Sequence, residues 1–87
     1  MDLFKIVPKG SLEHDLRKID RQHMARILEA IESLAENPFP VQIRKMKGSE
    51  SSYRLRAGDY RVIYQVDTAN KVVTVYHVRH RKDAYKR

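Results

Sequence analysis

The sequence predicts an α+β fold. An N-terminal strand and a helical hairpin come first, and an antiparallel three-stranded meander then forms a small twisted sheet packed on the helices. The prediction rests on the apolar period, which is helical over residues 12–35 and changes to two over residues 53–57. The chain has 87 residues, which is enough for one modest core. Residues 1–87 are therefore expected to form a single domain.

The first half of the chain contains the predicted strand and helices. A short apolar run over residues 3–7 ends in a Pro-Lys-Gly turn, and Ser11 is the expected helix N-cap. Apolar residues then recur at helical spacing over residues 12–19 and again over residues 24–35. At about 100° per residue, the two series differ in mean direction by roughly 115°. This difference predicts a helix break near Asp20, which is expected to cap the second helix.

The second half of the chain contains the predicted meander. Residues 39–52 are expected to form an irregular connection that includes a short edge strand. The predicted strands that follow cover residues 53–57, 60–66 and 72–78. The polar tail, residues 79–87, is expected to end beyond the sheet.

The turn between the first two meander strands fixes their register. If Gly58-Asp59 is a two-residue loop, Arg56 lies directly opposite Arg61. Two arginines in this arrangement repel each other unless they share an anion. By the same count, Tyr53, Tyr60 and Tyr64 are expected mainly in the core, whereas the position of Tyr76 stays open.

Charge is distributed unevenly along the chain. Residues 1–43 carry six Lys or Arg against seven Asp or Glu, whereas residues 44–87 carry twelve against four. A concentrated positive field favours polyanions such as nucleic acids over small neutral substrates. The plainer alternative is that these basic residues only make the surface soluble.

Composition excludes several classes of protein. No apolar run is long enough to span a bilayer, and the N-terminus lacks the pattern of a secretory signal, so a cytoplasmic protein is expected. The lack of cysteine excludes disulfides, thiolate metal sites and cysteine nucleophiles. Four histidines are present, but none has the spacing of a helical zinc enzyme, so no metal is expected.

Two segments resemble a known family. They are Arg-Leu-Arg-Ala-Gly-Asp-Tyr-Arg-Val-Ile-Tyr over residues 54–64 and Val-Arg-His-Arg-Lys-Asp-Ala-Tyr over residues 78–85. Together with the order of the predicted elements, they resemble the RelE-type toxins of the RelE/ParE superfamily. The likeness spans the whole chain, and its His-Arg-x-x-x-Tyr ending is typical of the RNA-cleaving members.

The resemblance implies the toxin of a type II toxin–antitoxin pair that cuts messenger RNA in the ribosomal A site. The ribose 2′-hydroxyl would attack the adjacent phosphorus, leaving a 2′,3′-cyclic phosphate and a 5′-hydroxyl. The implied partners are a cognate antitoxin, the ribosome with its ribosomal RNA, and the messenger RNA. The toxin–antitoxin complex is a candidate higher hetero-oligomer, and no cofactor is implied.

The resemblance also implies roles for individual residues. The guanidinium groups expected to hold the phosphate belong to Arg54, Arg56, Arg61 and Arg81. Tyr85 is a candidate base or a platform that stacks on a nucleobase, and His80 is either a candidate acid or base or a residue that orders the tail.

Contacts to the RNA backbone are expected from the basic loop and tail, through Arg44, Lys45, Lys47 and Lys82. One feature departs from the family, because related toxins often have lysine at the positions of Arg54 and Arg56. Arginine stays protonated and cannot readily accept a proton. The identity of the general base therefore stays open.

Two other functions fit the same sequence. A ParE-like toxin would have this fold but would inhibit DNA gyrase without cutting RNA, and an inactive relative would only bind RNA. The joint presence of Arg61, Arg81 and Tyr85 favours the nuclease.

Overall fold

The computed structural model describes residues 3–40, 44–45, 52–80 and 82, with the backbone alone for residues 44 and 45. The elements are β1 (Lys5–Pro8), α1 (Gly10–Leu16), α2 (Arg21–Ser33), β2 (Arg44–Lys45), β3 (Ser52–Ala57), β4 (Tyr60–Asp67) and β5 (Val72–His80). The strands form one mixed sheet in the order β1-β5-β4-β3-β2. The α+β class, the helical hairpin and the meander are confirmed, and β2 is the short edge strand expected in the connection.

The N-terminal strand joins the far end of the meander. β1 runs parallel to β5, with Lys5 opposite Val72. Helix α1 begins at Gly10, so Lys9 is the N-cap residue and the prediction that Ser11 caps this helix is wrong. The Ser11 hydroxyl instead donates a hydrogen bond of 2.8 Å to the carbonyl oxygen of Tyr76 in β5. That bond fastens the first turn of α1 to the strand edge.

The predicted helix break is present at Asp20. This residue has extended backbone angles and is the N-cap of α2, but its side chain makes no capping hydrogen bond. Its carbonyl oxygen accepts a bond of 3.0 Å from the backbone N–H of His23. Near the other end, Asn37 accepts a bond of 3.1 Å from the N–H of Phe39, forming the turn that leaves the helix layer.

Both helices pack on one face of the sheet. The buried residues of this core are Leu12, Ile19, Ile27, Ile31, Leu34, Leu55, Ala57, Val62, Tyr64, Val66, Val73, Val75 and Val78. Leu28 fits the helical apolar series but is 42% exposed, because it lies to one side of the buried stripe. Neither of these two helices is long and apolar enough to cross a membrane.

Two short turns set the register of the meander. Gly58 has a φ of 66°, a conformation that favours glycine, and it starts the two-residue loop between β3 and β4. Between β4 and β5, the carboxylate of Asp67 accepts hydrogen bonds from the backbone N–H and the side-chain amide of Asn70, at 3.0 and 2.8 Å. These bonds hold the pKa of Asp67 below its ordinary value.

Candidate active site

The β3–β4 hairpin places two arginines opposite each other, as predicted. Arg56 is the register partner of Arg61, and Ala57 is the partner of Tyr60. Both arginines lie on the face of the sheet that α1 and α2 leave uncovered, which we call the open face. Arg54 lies on the same face, two pairs further from the turn and opposite Ile63.

Strand β5 adds a third arginine. The tail was expected to leave the sheet before residue 79, but β5 extends to His80 and Arg79 pairs with Arg61. The register shifts by one residue between the pairs Ile63–His77 and Tyr64–Val75. This bulge leaves one extra residue in β5, and it turns Arg79 onto the open face while Val78 enters the core.

Arg56, Arg61 and Arg79 therefore form one line across three adjacent strands, which we call the arginine row. The Nε atom of Arg56 donates a hydrogen bond of 3.1 Å to the carbonyl oxygen of Gly58. Arg61, in the centre, is half-buried, and its Nη1 atom is shielded from solvent. The Nε atom of Arg79 lies 3.7 Å from Oδ2 of Asp15, and the Arg79 side chain is 43% exposed.

A carboxylate and a histidine flank the outer end of the row. Oδ2 of Asp15 lies 2.8 Å from Nδ1 of His77 and accepts a bond of 3.2 Å from the backbone N–H of Val78. Asp15 in α1 thus covers the edge of β5 beyond the end of β1. The recess between α1 and this part of β5 has a volume of about 490 Å³.

The sequence patterns did not predict a role for Arg79 or for the Asp15–His77 pair. The switch of buried valines from odd positions (73 and 75) to an even one (78) is the signal of the bulge that could have placed Arg79. Nothing local to the sequence links Asp15 to His77, because 62 positions separate them.

His80 does not lie with the arginine row. It pairs with Tyr60 and points to the helix-covered side of the sheet, where the two rings meet edge to face with centroids 5.2 Å apart. The other side of Tyr60 meets His23 of α2, with centroids 5.4 Å apart. Nδ1 of His80 accepts a bond of 3.2 Å from the backbone N–H of Lys82, whose side chain is exposed.

The remaining predicted site residues are only partly described. Arg44 and Lys45 form β2, and the backbone of Arg44 pairs with that of Arg54. Lys47, Arg81 and Tyr85 lie outside the described residues. Within the described part of the chain, no three carboxylate or imidazole groups cluster closely enough to hold a metal ion.

The meander tyrosines pack as predicted. Tyr64 is fully buried, and Tyr53 and Tyr60 are partly buried against the same core. The Tyr64 hydroxyl donates a bond of 2.8 Å to the carbonyl oxygen of Pro38. Burial, together with the nearby phenol of Tyr53, raises the pKa of Tyr64 well above its ordinary value. Tyr76 is half-buried, and its hydroxyl donates a bond of 2.8 Å to the amide oxygen of Gln65.

Comparison with known proteins agrees with this architecture. The family model described as the ParE toxin of the type II toxin–antitoxin system parDE matches residues 6–85. A Methanocaldococcus jannaschii protein named as toxin RelE1 is 33% identical over 75 residues, covering 83% of each chain. Toxin RelG of Mycobacterium tuberculosis is 30% identical over 74 residues, covering 84% of this chain and 85% of the other.

A solved structure has the same fold. In the archaeal RelE–RelB complex from Pyrococcus horikoshii OT3, one chain superposes with a TM-score of 0.80 and 28% sequence identity, covering 91% of this chain and 96% of that one. The matched family model and the two relatives span most of this chain, and the fold agrees with both. The chain therefore belongs to the RelE family of type II toxin–antitoxin toxins, within the RelE/ParE superfamily.

Proposed function

We propose that this toxin is a ribosome-dependent endoribonuclease that cleaves messenger RNA in the A site. The observation that carries the proposal is the arginine row, in which Arg56, Arg61 and Arg79 stand side by side on the sheet face that α1 and α2 leave uncovered. Three like charges in one line repel one another. A phosphodiester bound across them relieves this repulsion and accepts planar, forked hydrogen bonds.

The chemistry needs orientation and charge stabilisation. In the reaction, the 2′-oxygen attacks phosphorus, the bond to the 5′-oxygen breaks, and a 2′,3′-cyclic phosphate forms. Arg61 is central in the row and half-buried, so it is suited to the oxygens on which negative charge develops. Arg56 and Arg79 flank it, and Arg54 is suited to binding the next phosphate along the RNA.

The C-terminal tail completes the proposed site. Arg81 follows β5 directly, and we assign it to the same phosphate and Tyr85 to proton transfer or base stacking. Because His80 packs against Tyr60 on the other face, we assign it to ordering the tail rather than to acid–base chemistry. The basic residues Arg44, Lys45, Lys47 and Lys82 are assigned to contacts with the RNA backbone.

A cognate antitoxin is the proposed protein partner. The related Pyrococcus horikoshii structure is a complex of RelE with RelB. The excess of basic over acidic residues in positions 44–87 suits an acidic partner segment that competes with RNA for the open face.

Cleavage-site mapping in a reconstituted translation system tests the proposal. The wild-type toxin is expected to cut messages within the A-site codon of translating ribosomes and to leave the same RNA nearly intact when it is free, because the ribosome supplies the alignment. Arg61→Ala is expected to slow cleavage about a hundredfold or more. Arg17→Ala, which removes an exposed arginine at the end of α1, is the control and is expected to cleave normally.

Growth assays extend the test to the tail. Arg61→Ala and Arg81→Ala are expected to abolish growth arrest while the fold and antitoxin affinity stay close to those of the wild type. Toxicity retained in both variants would refute the site assignment.

The matched family model is named for ParE, and this observation makes gyrase inhibition the second candidate function. A DNA supercoiling assay with the same protein separates the two functions. Inhibited supercoiling with intact messages would favour the gyrase function over the nuclease. Neither activity, with RNA binding retained, would identify an inactive relative.

A further inference from the structure

We propose that His77 is a catalytic residue that transfers a proton during cleavage, and that Asp15 is the positioning residue that holds its ring. This inference rests on the proposed nuclease function. It assigns the proton-transfer step to a pair of side chains, from α1 and β5, that stand at the outer end of the arginine row.

The hydrogen bonds fix which nitrogen of His77 is available. An ionised carboxylate only accepts hydrogen bonds, so the 2.8 Å contact between Oδ2 of Asp15 and Nδ1 of His77 requires that Nδ1 carries the proton. The lone pair of the neutral ring then lies on Nε2. The Asp15 side chain is only 14% exposed, and the N–H of Val78 also donates to Oδ2, so the carboxylate is held rigidly. The pair therefore presents a base of defined orientation.

The position of His77 matches the row. His77 lies two residues before Arg79 on the same face of β5, and Nη2 of Arg79 lies 3.2 Å from Nδ1. With the proton on Nδ1, this is a contact between the two groups and not a hydrogen bond. Arg61 is its diagonal neighbour on β4, at a typical separation of about 7–8 Å. The His77 side chain is 32% exposed and lines the recess beside α1. Arg79 belongs both to the row and to the lining of the recess, so a ribose next to a phosphate held by Arg79 lies within reach of His77.

His77 carries one proton through the cleavage step. Nε2 of neutral His77 takes the proton from the 2′-hydroxyl as the bond between the 2′-oxygen and phosphorus forms. The bond from phosphorus to the 5′-oxygen breaks, and the departing oxygen takes a proton from a water molecule. The hydroxide left behind is neutralised by the proton that His77 releases.

Several charged and titratable groups line the recess beside the ring or neighbour His77 in the sheet. They are Asp15, His14 and Lys18 from α1 and the turn after it, Tyr60 and Arg61 from β4, and Arg79 and His80 from β5. Of these groups, Asp15 alone brings a negative charge near neutral pH. It offsets the positive charge of the cations beside the ring.

The first test is the pH profile of single-turnover cleavage on ribosomes. The wild-type rate is expected to rise with pH, because only the neutral ring can accept the proton of the 2′-hydroxyl. His77→Gln is expected to be about a hundredfold slower and to lack this rise. His23→Gln removes an imidazole of α2 that packs on Tyr60 and does not line the recess, and it is the matched control, expected to retain both the rate and the profile.

Chemical rescue tests whether His77 takes part in the reaction or only supports the fold. Added imidazole is expected to restore part of the cleavage by His77→Ala and to have no effect on Arg61→Ala. Asp15→Asn keeps the shape of the side chain but removes its charge, and it is expected to lower the cleavage rate by more than about tenfold without changing substrate affinity, because the carboxylate holds the tautomer and orientation of the ring. An NMR spectrum of the ring nitrogens of His77 is expected to show the proton on Nδ1 in the wild type.

The outcomes are distinguishable. If the wild type cleaves RNA and His77→Gln cleaves at the same rate with the same pH profile, the role of His77 is refuted while the nuclease stands. Slow cleavage by His77→Ala that imidazole does not rescue, together with a lowered melting temperature, would reduce the pair to a structural link between α1 and β5. If the wild type cuts no RNA on ribosomes, both proposals fall.

Discussion

The two faces of the central sheet are built from alternate residues of the same strands and have opposite properties. On one face, Val62 and Tyr64 are completely buried under the helices. On the other, Arg61 stands between two further arginines with no described helix above it. Residues that stabilise the fold and residues assigned to the proposed function are neighbours along each strand. Adjacent substitutions should therefore have different consequences.

Two neighbouring substitutions in β5 are expected to have the largest difference in effect. Val78→Arg places a cation in the closed core, at a position that is 3% exposed, and is expected to cost several kcal/mol. A domain of this size has a total stability of about 5–15 kcal/mol, so the variant is expected to be largely unfolded. Circular dichroism and urea titration measure the loss.

Arg79→Val makes the reverse change on the open face. We expect a folded protein whose messenger RNA cleavage is about a hundredfold slower, because one guanidinium of the row is lost. Equal destabilisation by the two substitutions would show that Arg79 supports the fold, and it would contradict the division between the faces.

The sequence could predict which residues of the β3–β4 hairpin lie on each face, because a two-residue turn fixes every pair outward from Gly58. The outer part of β5 could not be placed in this way. Strict alternation from Val73 and Val75 would have sent Arg79 into the core, and the bulge reverses the facing of every residue after it. A bulge depends on packing against neighbouring strands, which a local pattern does not contain.

Contacts between residues far apart in the chain are the second feature that the sequence could not predict. Serine is a residue type that often caps helices, but the Ser11 hydroxyl donates to the carbonyl oxygen of Tyr76 because α1 lies against the edge of β5. The parallel pairing of β1 with β5 has the same origin. Asp15 and His77 meet only because this edge lies beyond the end of β1. Local patterns therefore predicted the elements and part of the arginine row, whereas the carboxylate–histidine pair needed the tertiary structure.

The buried hydroxyl of Tyr64 offers a smaller test on the helix-covered face. Tyr64→Phe removes the bond to Pro38 and is expected to lower the free energy of unfolding by about 1 kcal/mol near neutral pH. Tyr53→Phe, on the same face but only half-buried, is the control with a smaller expected loss. Urea denaturation gives both values, and cleavage should be unchanged in both variants.

The raised pKa of Tyr64 predicts that its contribution to the free energy of unfolding depends on pH. The pKa of Tyr64 is raised in the folded protein, so its contribution to stability is fully present below the unfolded value near 10 and is lost as the pH rises toward the folded value. The stability advantage of the wild type over Tyr64→Phe should therefore shrink above about pH 10. An advantage that stays constant to pH 11 would contradict the assigned cause.

The smallest expected effect is the stabilisation of the fold by a small anion bound to the open face without RNA. Facing arginines destabilise a sheet by a few tenths to about 1 kcal/mol, and an anion shared between them relieves that cost. Sulfate or phosphate should therefore raise the melting temperature more than chloride does at equal ionic strength. Arg61→Gln removes the central charge of the row and should abolish most of this difference, whereas Arg17→Gln should preserve it. An identical response of the three proteins to sulfate would show that the row does not hold an anion on its own. In that case phosphate binding would require the tail or the ribosome in addition to the sheet.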